Sequence, residues 1–328
     1  MGPKGQGTSV SSIGIVTIRD DVHALLVSQY LRARYGINVY LIEADYLAGT
    51  SGFSWSISNQ QDSRCTVLLT GPTGPTRVSL SEIAVVWWRK SPSRQLYPKC
   101  VVPEWSKLID RDCESSLLGS FLTAFHGTCI SNPLATTRAG NKLVQLETAR
   151  KCGFCIPETL ISQDPTEILA FKNRWPGGVV VKAVRGVPGV TIFTRMISDF
   201  HISKPGSLEL VPAIYQRIIE GTRHIRFVCF GTRLWAFELV STLLDWREDH
   251  CAQISEIDLP HTVANQIFSV IGQLDLRMGI GDLKISPEGE YVWLEVNPQG
   301  QFLFLQEATG INLAAEFADF LVDAIPPD

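Results

Sequence analysis

The stretch GDLKISPEGEYVWLEVNPQG, residues 281–300, decides the interpretation of the fold. It contains two apolar runs separated by the polar turn SPEGE, which is typical of a β-hairpin. Asp282 lies near the start of the first run, and Glu295 and Asn297 lie near the end of the second. Because side chains alternate between the two faces of a strand, Glu295 and Asn297 share one face. The hairpin therefore carries oxygen-bearing side chains on both strands.

The length of the loop decides whether Asp282 joins that face. A four-residue loop, 287–290, pairs Ser286 with Tyr291 and therefore Asp282 with Glu295. A three-residue loop without a bulge would turn Asp282 to the opposite face. We predict the four-residue loop, and hence one face that carries both acids.

The donor set of this face suggests a metal ion. Two carboxylates and an amide oxygen suit Mg²⁺, which keeps several waters and usually binds together with the phosphates of a substrate. The alternative is that both acids are solvated hairpin residues. Glu295 lies within the apolar run YVWLEVN, where a charge costs free energy unless it is paired or metal-bound. Residue types alone leave both interpretations open.

Composition excludes several classes of protein. The 328 residues suffice for two or three domains, with 45% hydrophobic and 19% charged residues as in an ordinary globular protein. The net charge of −4 gives no indication of nucleic-acid binding, and no apolar run is long enough for a membrane span. The N-terminus lacks the apolar core of a secretion signal. We expect a cytoplasmic protein with neither a nucleic acid nor a membrane as partner.

Eight cysteines are scattered along the chain, which fits a reducing compartment. Cys152 and Cys155 form a CxxC motif, which occurs in redox sites and as half of a zinc site. The motif follows a helical stretch, and no second CxxC or His pair at ligand spacing accompanies it. We therefore interpret both cysteines as structural.

The pattern of the chain changes at residue 133. Residues 1–133 alternate strands and helices, beginning with IGIVTI, a helix that ends at Gly36, and INVYLIEA. C-terminal to this residue, two consecutive strands are predicted at GGVVVKAV and VTIFTRMI. A hairpin is predicted from RHIRFVCF and RLWAFELV. The pattern predicts α/β structure in the N-terminal part of the chain and α+β structure in the C-terminal part. The glycine-rich nucleotide fingerprints GxGxxG and GxxxxGK[ST] are missing from their required places.

Four basic residues recur at or near predicted strand ends. Lys142 opens a helix after a Gly-Asn pair, Lys182 ends the run GGVVVK, and Arg226 and Arg247 lie on or after the hairpin strands. Guanidinium groups suit the oxygens of phosphate and carboxylate. Each residue alone would be a surface charge. Together with the acidic hairpin they indicate a triphosphate site that does not use a P-loop.

Several blocks of the chain resemble one family. GDLKISPEGEYVWLEVNPQGQFLFLQEATG is similar to the metal-binding hairpin of the ATP-grasp superfamily, and more narrowly to that of the graspetide (microviridin-type) peptide ligases. VVWWRKS resembles the end of their N-terminal domain, and NKLVQLETARKCGFCIPETLIS resembles their entry to the central domain. YQRIIEGTRHIRFVCFGTRLWAFEL resembles their adenine hinge, and DWRED resembles their substrate-side arginine motif. The blocks run from about residue 85 to 320, which is most of the chain.

The resemblance implies an ATP-grasp fold in three parts. These are an N-terminal α/β domain at 1–133, a central subdomain at 134–215, and a C-terminal subdomain at 216–328 that carries the hinge and the metal hairpin. ATP would lie between the last two.

The resemblance also implies roles for individual residues. Asp282, Glu295 and Asn297 would hold Mg²⁺. The ATP contacts would come from Lys142 and Lys182 at the phosphates, Gln216, Arg217 and Ile218 along the adenine edge, and His224 at the ribose. Arg226 and Arg247 would act in catalysis by stabilising the transferred phosphate and the acyl-phosphate. Two sites depart from the relatives: His224 replaces a frequent acid, and Arg217-Ile218 replace Glu and an aromatic residue.

The activity implied is ATP-dependent peptide macrocyclisation. A side-chain carboxylate of Asp or Glu in a precursor peptide, made of leader and core, is phosphorylated by ATP. A Ser or Thr hydroxyl or a Lys amine then attacks, which gives an ester or amide ring, ADP and phosphate. The alternatives are an ATP-grasp ligase for a small acid and an amine or amino acid, and a regulatory nucleotide-binding module without ligation. The oligomeric state stays open, with a homodimer as one alternative.

By resemblance, the leader of the precursor docks on the central subdomain beside GGVVVKAV and VTIFTRMI. The residues that this predicts as a docking surface are Arg185, Val190, Ile192, Phe193 and Arg195. The alternative is that the apolar members are ordinary core and the arginines ordinary surface.

Overall fold

The computed structural model describes residues 12–50, 52–71, 74–90, 94–99, 101–185 and 192–327. Its contacts divide the chain into two compact units, Met1–Pro133 with Asn312–Asp328, and Leu134–Ile311. Residues 312–328, placed in the C-terminal subdomain by the sequence analysis, are grouped with the first unit. A boundary at residue 215 within the second unit stays a prediction. None of the described helices is long and apolar enough to cross a membrane.

The helices and strands follow one another in a mixed order. The strands are β1 (Ser12–Thr17), β2 (Asn38–Glu43), β3 (Phe53–Ser58), β4 (Gln61–Gly71), β5 (Gly74–Ser79), β6 (Val85–Trp88), β7 (Thr128–Ile130), β8 (Thr159–Ser162), β9 (Val179–Lys182), β10 (Arg195–Met196), β11 (Ala213–Arg217), β12 (Arg223–Phe230), β13 (Arg233–Val240), β14 (Gln253–Ile257), β15 (Met278–Ile285) and β16 (Tyr291–Asn297). The helices are α1 (Val22–Tyr35), α2 (Ser106–Ala124), α3 (Pro133–Ala139), α4 (Lys142–Lys151), α5 (Pro165–Arg174), α6 (Asp199–Ile202), α7 (Pro205–Leu208), α8 (His261–Gln273), α9 (Leu303–Thr309) and α10 (Leu313–Asp323).

The first unit is built on a parallel sheet in the order β2-β1-β6-β7, as the strand–helix–strand pattern predicts. Helix α1 begins after Asp21, whose carboxylate accepts hydrogen bonds from the backbone N–H groups of His23 and Ala24. It ends at Gly36, which has a left-handed φ of 63°. An antiparallel sheet, β3-β4-β5, also belongs to this unit, and β5 begins inside GPTGPT, which lacks apolar alternation.

The second unit contains two antiparallel sheets, in the orders β10-β9-β11-β8 and β14-β13-β12-β15-β16. The prediction of a full strand over VTIFTRMI is wrong for its described part, since only Arg195 and Met196 pair with β9. Thr194, the residue before them, donates its backbone N–H to the carboxylate of Asp245 at 3.1 Å. That side-chain contact replaces a strand partner.

The five-stranded sheet has one apolar face and one polar face. On the apolar face, Phe227, Leu283 and Trp293 are fully buried in a core that includes residues of α4 and α8. The rings of Phe227 and Trp293 lie 5.5 Å apart, and burial of a side chain such as phenylalanine contributes about 1.5–3 kcal/mol. The alternate positions of β12 and β15 form the polar face: His224, Arg226, Asp282 and Lys284.

The β15–β16 hairpin reaches the predicted pairing by a different route. Asp282 does oppose Glu295, but the four-residue loop is wrong, because Tyr291 pairs with Ile285 rather than with Ser286. A register shift beside Asp282 leaves Leu294 as the extra residue of β16 and restores the expected pairing. Without this bulge, Trp293 and Glu295 would share a face. The bulge therefore allows the tryptophan to fill the core while the acid faces the other way.

Gly281 is needed where β12, β15 and β16 meet. A Cβ atom there would lie 2.2 Å from Cζ of Phe227 and 2.6 Å from the carbonyl oxygen of Glu295. We expect Gly281→Ala to lower the free energy of unfolding by about 1–3 kcal/mol, because the core must shift to admit it. Urea denaturation measures the change. Gly272→Ala is the matched control, because its Cβ meets nothing within 4 Å; equal stability of the two variants would contradict the steric argument.

Candidate active site

A cavity of about 680 Å³ opens over the polar face of the five-stranded sheet, and all of its lining residues belong to the second unit. The residues with predicted metal, nucleotide or catalytic roles line it, except Arg226. Arg226 lies in the sheet directly opposite Asp282 on the neighbouring strand. The structure therefore brings together residues that are up to 155 positions apart, between Lys142 and Asn297.

Arg226 and Asp282 form a buried ion pair across β12 and β15. A guanidinium nitrogen of Arg226 donates to Oδ2 of Asp282 at 2.7 Å, and another donates to the carbonyl oxygen of Gln301 at 3.2 Å. Burial raises the pKa of Asp282, although the charge of Arg226 opposes that shift. The second carboxylate oxygen, Oδ1, is buried and has no hydrogen-bond partner among the described residues.

Glu295 is held by the first residue of α4. Asn141 caps that helix by accepting hydrogen bonds from the backbone N–H groups of its first turn, and Lys142 then reaches Glu295 at 2.9 Å. Gln145, one turn further on, fixes the helix to β16 through both amide atoms, which bond the backbone C=O and N–H of Val296 at 2.7 and 2.9 Å. Sequence reasoning identifies Lys142 but misses Gln145, which orients it.

The cations around Glu295 determine its charge state. Burial alone would raise its pKa, but Lys142, Lys182 and Arg247 outweigh burial and lower the pKa to about 2. Glu295 is therefore ionised at neutral pH. It is a carboxylate placed among cations before any ligand binds.

Lys182 ends β9 inside the cavity, where its ammonium donates to Oε1 of Gln216 at 2.9 Å. The amide nitrogen of Gln216 donates in turn to the hydroxyl of Thr159 at 3.0 Å, which fixes the glutamine. Burial lowers the pKa of Lys182 to about 8, although the negative charge of Glu295 acts to raise it. Gln216, which was expected at the adenine edge, therefore also orients Lys182, which was expected at the phosphates.

Two residues of the predicted hinge already use their backbone N–H groups in hydrogen bonds within the protein. The N–H of Arg217 donates to the carbonyl of Glu158 at 2.9 Å, and that of Ile218 donates to the carbonyl of Gly178 at 3.1 Å. The N–H of Ile219 makes no hydrogen bond within the part of the chain that the structure describes, and Ile219 lines the cavity. The first N–H group after Arg217 and Ile218 without a partner among the described residues is therefore that of Ile219.

Arg247 is held by Asp245, two residues earlier. The Nε of Arg247 donates to Oδ1 of Asp245 at 2.8 Å, and a terminal nitrogen bonds Oδ2, which makes the pair bidentate. The guanidinium also lies 5.6 Å from the ring of Phe193. The spacing Asp-x-Arg in DWRED could have signalled this pair, since an Asp side chain often accepts from the backbone N–H two residues on, here that of Arg247 at 3.2 Å, which brings the two side chains together.

The residues predicted to dock a leader do not form one separate surface. Arg185 and Ile192 line the cavity, whereas Arg195 forms a bidentate ion pair with Glu248. Phe193 lies between the guanidiniums of Arg195, at 5.3 Å, and Arg247. Val190 lies outside the described residues. Leader docking stays a prediction.

The hydrogen bonds that Asp245 accepts from Arg247 and Thr194 should make the stability of the fold depend on pH. Burial would raise the pKa of Asp245, but hydrogen bonds from Arg247 and from the backbone of Thr194 lower it to about 2. An acid with a lowered pKa in the folded state adds stability above its unfolded pKa, and that stability is lost as the pH falls towards the folded pKa. Between about pH 4 and 2, the free energy of unfolding should fall more steeply in the wild type than in Asp245→Asn, by at most about 1.4 kcal/mol per pH unit. Urea unfolding at a series of pH values measures both slopes; parallel slopes would contradict the assignment.

The acidic face fits a divalent cation. Asp282 and Glu295 are opposed in register, Oδ1 of Asp282 has no partner, and the exposed Asn297 accepts a hydrogen bond at Oδ1 from the N–H of Gln299 at 3.0 Å. No group of three or more His, Cys, Asp or Glu side chains among the described residues could hold a metal. An ion here would need further oxygens from water or a ligand, which is the usual situation of Mg²⁺.

Comparison with solved structures assigns the fold. The structure matches macrocyclase MdnC from Microcystis aeruginosa MRC, bound to precursor peptide MdnA, with a TM-score of 0.82 and 22% identity over 95% of this chain and 99% of that chain. It matches the RiPP-associated ATP-grasp ligase of Chryseobacterium gregarium, in complex with ADP and a leader and core peptide, with a TM-score of 0.83 and 24% identity over 96% and 98%. The chain has the ATP-grasp fold.

A third ATP-grasp structure, ligase PsnB complexed with a phosphomimetic variant of a minimal precursor, Mg and ADP, matches with a TM-score of 0.75 and 20% identity over 96% and 99%. No family model and no curated protein matches the chain in sequence. The predicted fold is confirmed.

Proposed function

We propose that this chain is an ATP-dependent peptide ligase. It phosphorylates Asp or Glu side chains of a precursor peptide and joins them to Ser or Thr hydroxyls or Lys amines, with release of ADP and phosphate. The observation that carries the proposal is the single cavity in which the opposed acids Asp282 and Glu295 face Lys142, Lys182 and Arg247, on a fold shared with peptide ligases.

The nucleotide would lie along the cavity. The N–H of Ile219 and the carbonyl of Arg217 would meet the edge of the base, while Lys142 and Lys182 would contact the phosphates. Asp282, Glu295 and Asn297 would hold Mg²⁺, which supplies charge stabilisation at the phosphoryl oxygens when it is bound. ATP and Mg²⁺ are therefore the proposed cofactors.

The arginines would act on the carboxylate that is activated. Arg247 is fixed by Asp245 at the wall of the cavity, so its guanidinium needs little reorganisation to stabilise charge on the transferred phosphate or on the acyl-phosphate. Arg226 acts from beneath by holding Asp282 in place. The reaction requires no protein nucleophile, because the attacking hydroxyl or amine belongs to the peptide.

Further properties belong to the same proposal. The product would be a microviridin-type ring, the partner a precursor with leader and core, and the location the cytoplasm. The absence of a spanning helix among the described residues and the reduced cysteines are compatible with that location. A homodimer remains an alternative to test by light scattering.

The test is ADP release by the purified protein with ATP, Mg²⁺ and a candidate precursor. The candidate is the product of a neighbouring short reading frame rich in Thr, Ser, Asp and Glu. A peptide ligase should release ADP only with the peptide, and the peptide should lose the mass of one water per bond. ADP release with a free amino acid or amine instead would favour a small-molecule ligase. Binding of ADP without any turnover would favour a regulatory module.

A further inference from the structure

Lys284 is a buried cation without a carboxylate partner. It lies on β15, only 7% of its surface is exposed, and it lines the cavity. Its ammonium makes no hydrogen bond or ion pair with any other described residue. A buried charge is costly unless it is paired, so a side chain kept in this state points to a partner that is not part of the chain.

Four other cations of the site have partners on the chain. Lys142 pairs with Glu295, Arg226 with Asp282 and Arg247 with Asp245, and Lys182 donates to the neutral amide of Gln216. Lys284 makes no such contact with the described residues. Directly opposite it on β12 stands His224, whose Nε2 is buried without a hydrogen-bond partner among the described residues. The two side chains form a polar patch that nothing in the described chain satisfies.

The position of the patch within the cavity identifies what would lie over it. Lys284 is two residues beyond Asp282 on β15, which places it about 7 Å from the acids towards the hinge. The hinge is close at that end, because a Cβ atom on Gly221 would lie 2.9 Å from the carbonyl oxygen of Ile285. The patch therefore lies between the acids that would meet the phosphates and the hinge segment around Ile219.

We propose that Lys284 binds the nucleoside part of the nucleotide from the sheet beneath it, with His224 beside it. This inference rests on the proposed function. Ring nitrogens of a base and ribose hydroxyls accept hydrogen bonds from an ammonium, and the face of a base also attracts a cation. No carboxylate of the described residues pairs with Lys284, so its donors can reach the ligand. Lys284 is thus an affinity residue for the base and ribose, separate from the lysines at the phosphates.

An unpaired buried lysine lowers the stability of the free protein and raises its affinity for the nucleotide. Lys284→Met keeps the length of the side chain and removes the uncompensated charge, so the variant should melt at the same temperature as the wild type or higher. It should bind ADP about tenfold more weakly, because a charge-assisted hydrogen bond is lost. AMP affinity should fall by the same factor, since the contact is to the nucleoside. Lys151→Met, which removes an exposed lysine from α4, is the matched control and should change neither value.

Calorimetric titration with ADP and with AMP, together with a melting curve for each variant, tests the inference. Equal affinity of Lys284→Met and wild type for both nucleotides would overturn it, and so would a loss confined to ADP, which would place Lys284 at the phosphates. A large fall in melting temperature would show that Lys284 serves the fold instead. Lys284→Gln provides a second neutral variant if the methionine variant precipitates. A wild type that binds neither nucleotide would refute the proposed function as well, whereas the other outcomes concern Lys284 alone.

Discussion

Glu295→Gln should reduce ADP formation by about 100-fold or more while the protein keeps its fold. The substitution replaces an ionised carboxylate of the proposed metal site by a neutral amide and leaves Lys142 without its charged partner at 2.9 Å. Charge stabilisation of a phosphoryl group depends on such fixed groups, and the loss of one costs about 100- to 1,000-fold in rate. The measurement is peptide-dependent ADP release at saturating ATP and Mg²⁺.

A binding experiment separates a lost metal ligand from a damaged active site. In the wild type, added Mg²⁺ should strengthen ADP binding, and Glu295→Gln should lose most of that increment. Glu290→Gln removes an exposed acid from the turn of the same hairpin and should behave like the wild type in both assays. Near-normal ADP release by Glu295→Gln, or an undiminished effect of Mg²⁺, would refute the role of the hairpin.

The β15–β16 hairpin shows which structural features its sequence pattern can predict and which it cannot. Alternation and turn composition predict that Asp282 opposes Glu295, and the structure has that pair. The predicted loop is nevertheless wrong, and the bulge at Leu294 compensates for it. Nothing in YVWLEVN marks the bulge locally, because its cause lies in packing: Trp293 must face the helices while Glu295 faces the cavity. Tertiary packing thus determined what local residue preferences left open.

The partners of the site residues were less accessible to sequence reasoning. Lys142 and Lys182 are recognisable by their places at a helix start and a strand end, but their orientation depends on Gln145 and on Gln216. Such contacts join residues far apart in the chain and leave no periodic signal. Lys284 escapes notice for another reason. In the run GDLKI it reads as an ordinary polar residue of a half-exposed strand, whereas both faces of β15 are in fact buried.

Arg226→Met should lower the free energy of unfolding by about 3–5 kcal/mol, which is the usual cost of breaking a buried ion pair from one side. The variant leaves Asp282 buried with neither carboxylate oxygen bonded to a described residue, since Oδ1 already lacks a partner among them and Oδ2 loses Arg226 at 2.7 Å. The double variant Arg226→Met/Asp282→Asn removes the orphaned charge, so it should recover a large part of the loss even though it carries one more substitution.

Urea denaturation of the single and double variants measures this coupling, because the double-mutant cycle isolates the interaction between the two residues. Arg223→Met is the control on the same strand, since its ion pair with Glu238 is half exposed and should contribute about 1 kcal/mol or less. A double variant less stable than Arg226→Met would mean that Arg226 stabilises the sheet through its aliphatic stem and its contact with Gln301. Recovery in the double variant would instead show that the unpaired carboxylate of Asp282 causes most of the loss in Arg226→Met. Arg226 would then serve the fold by compensating an acid that the proposed metal site requires on the polar face of the sheet.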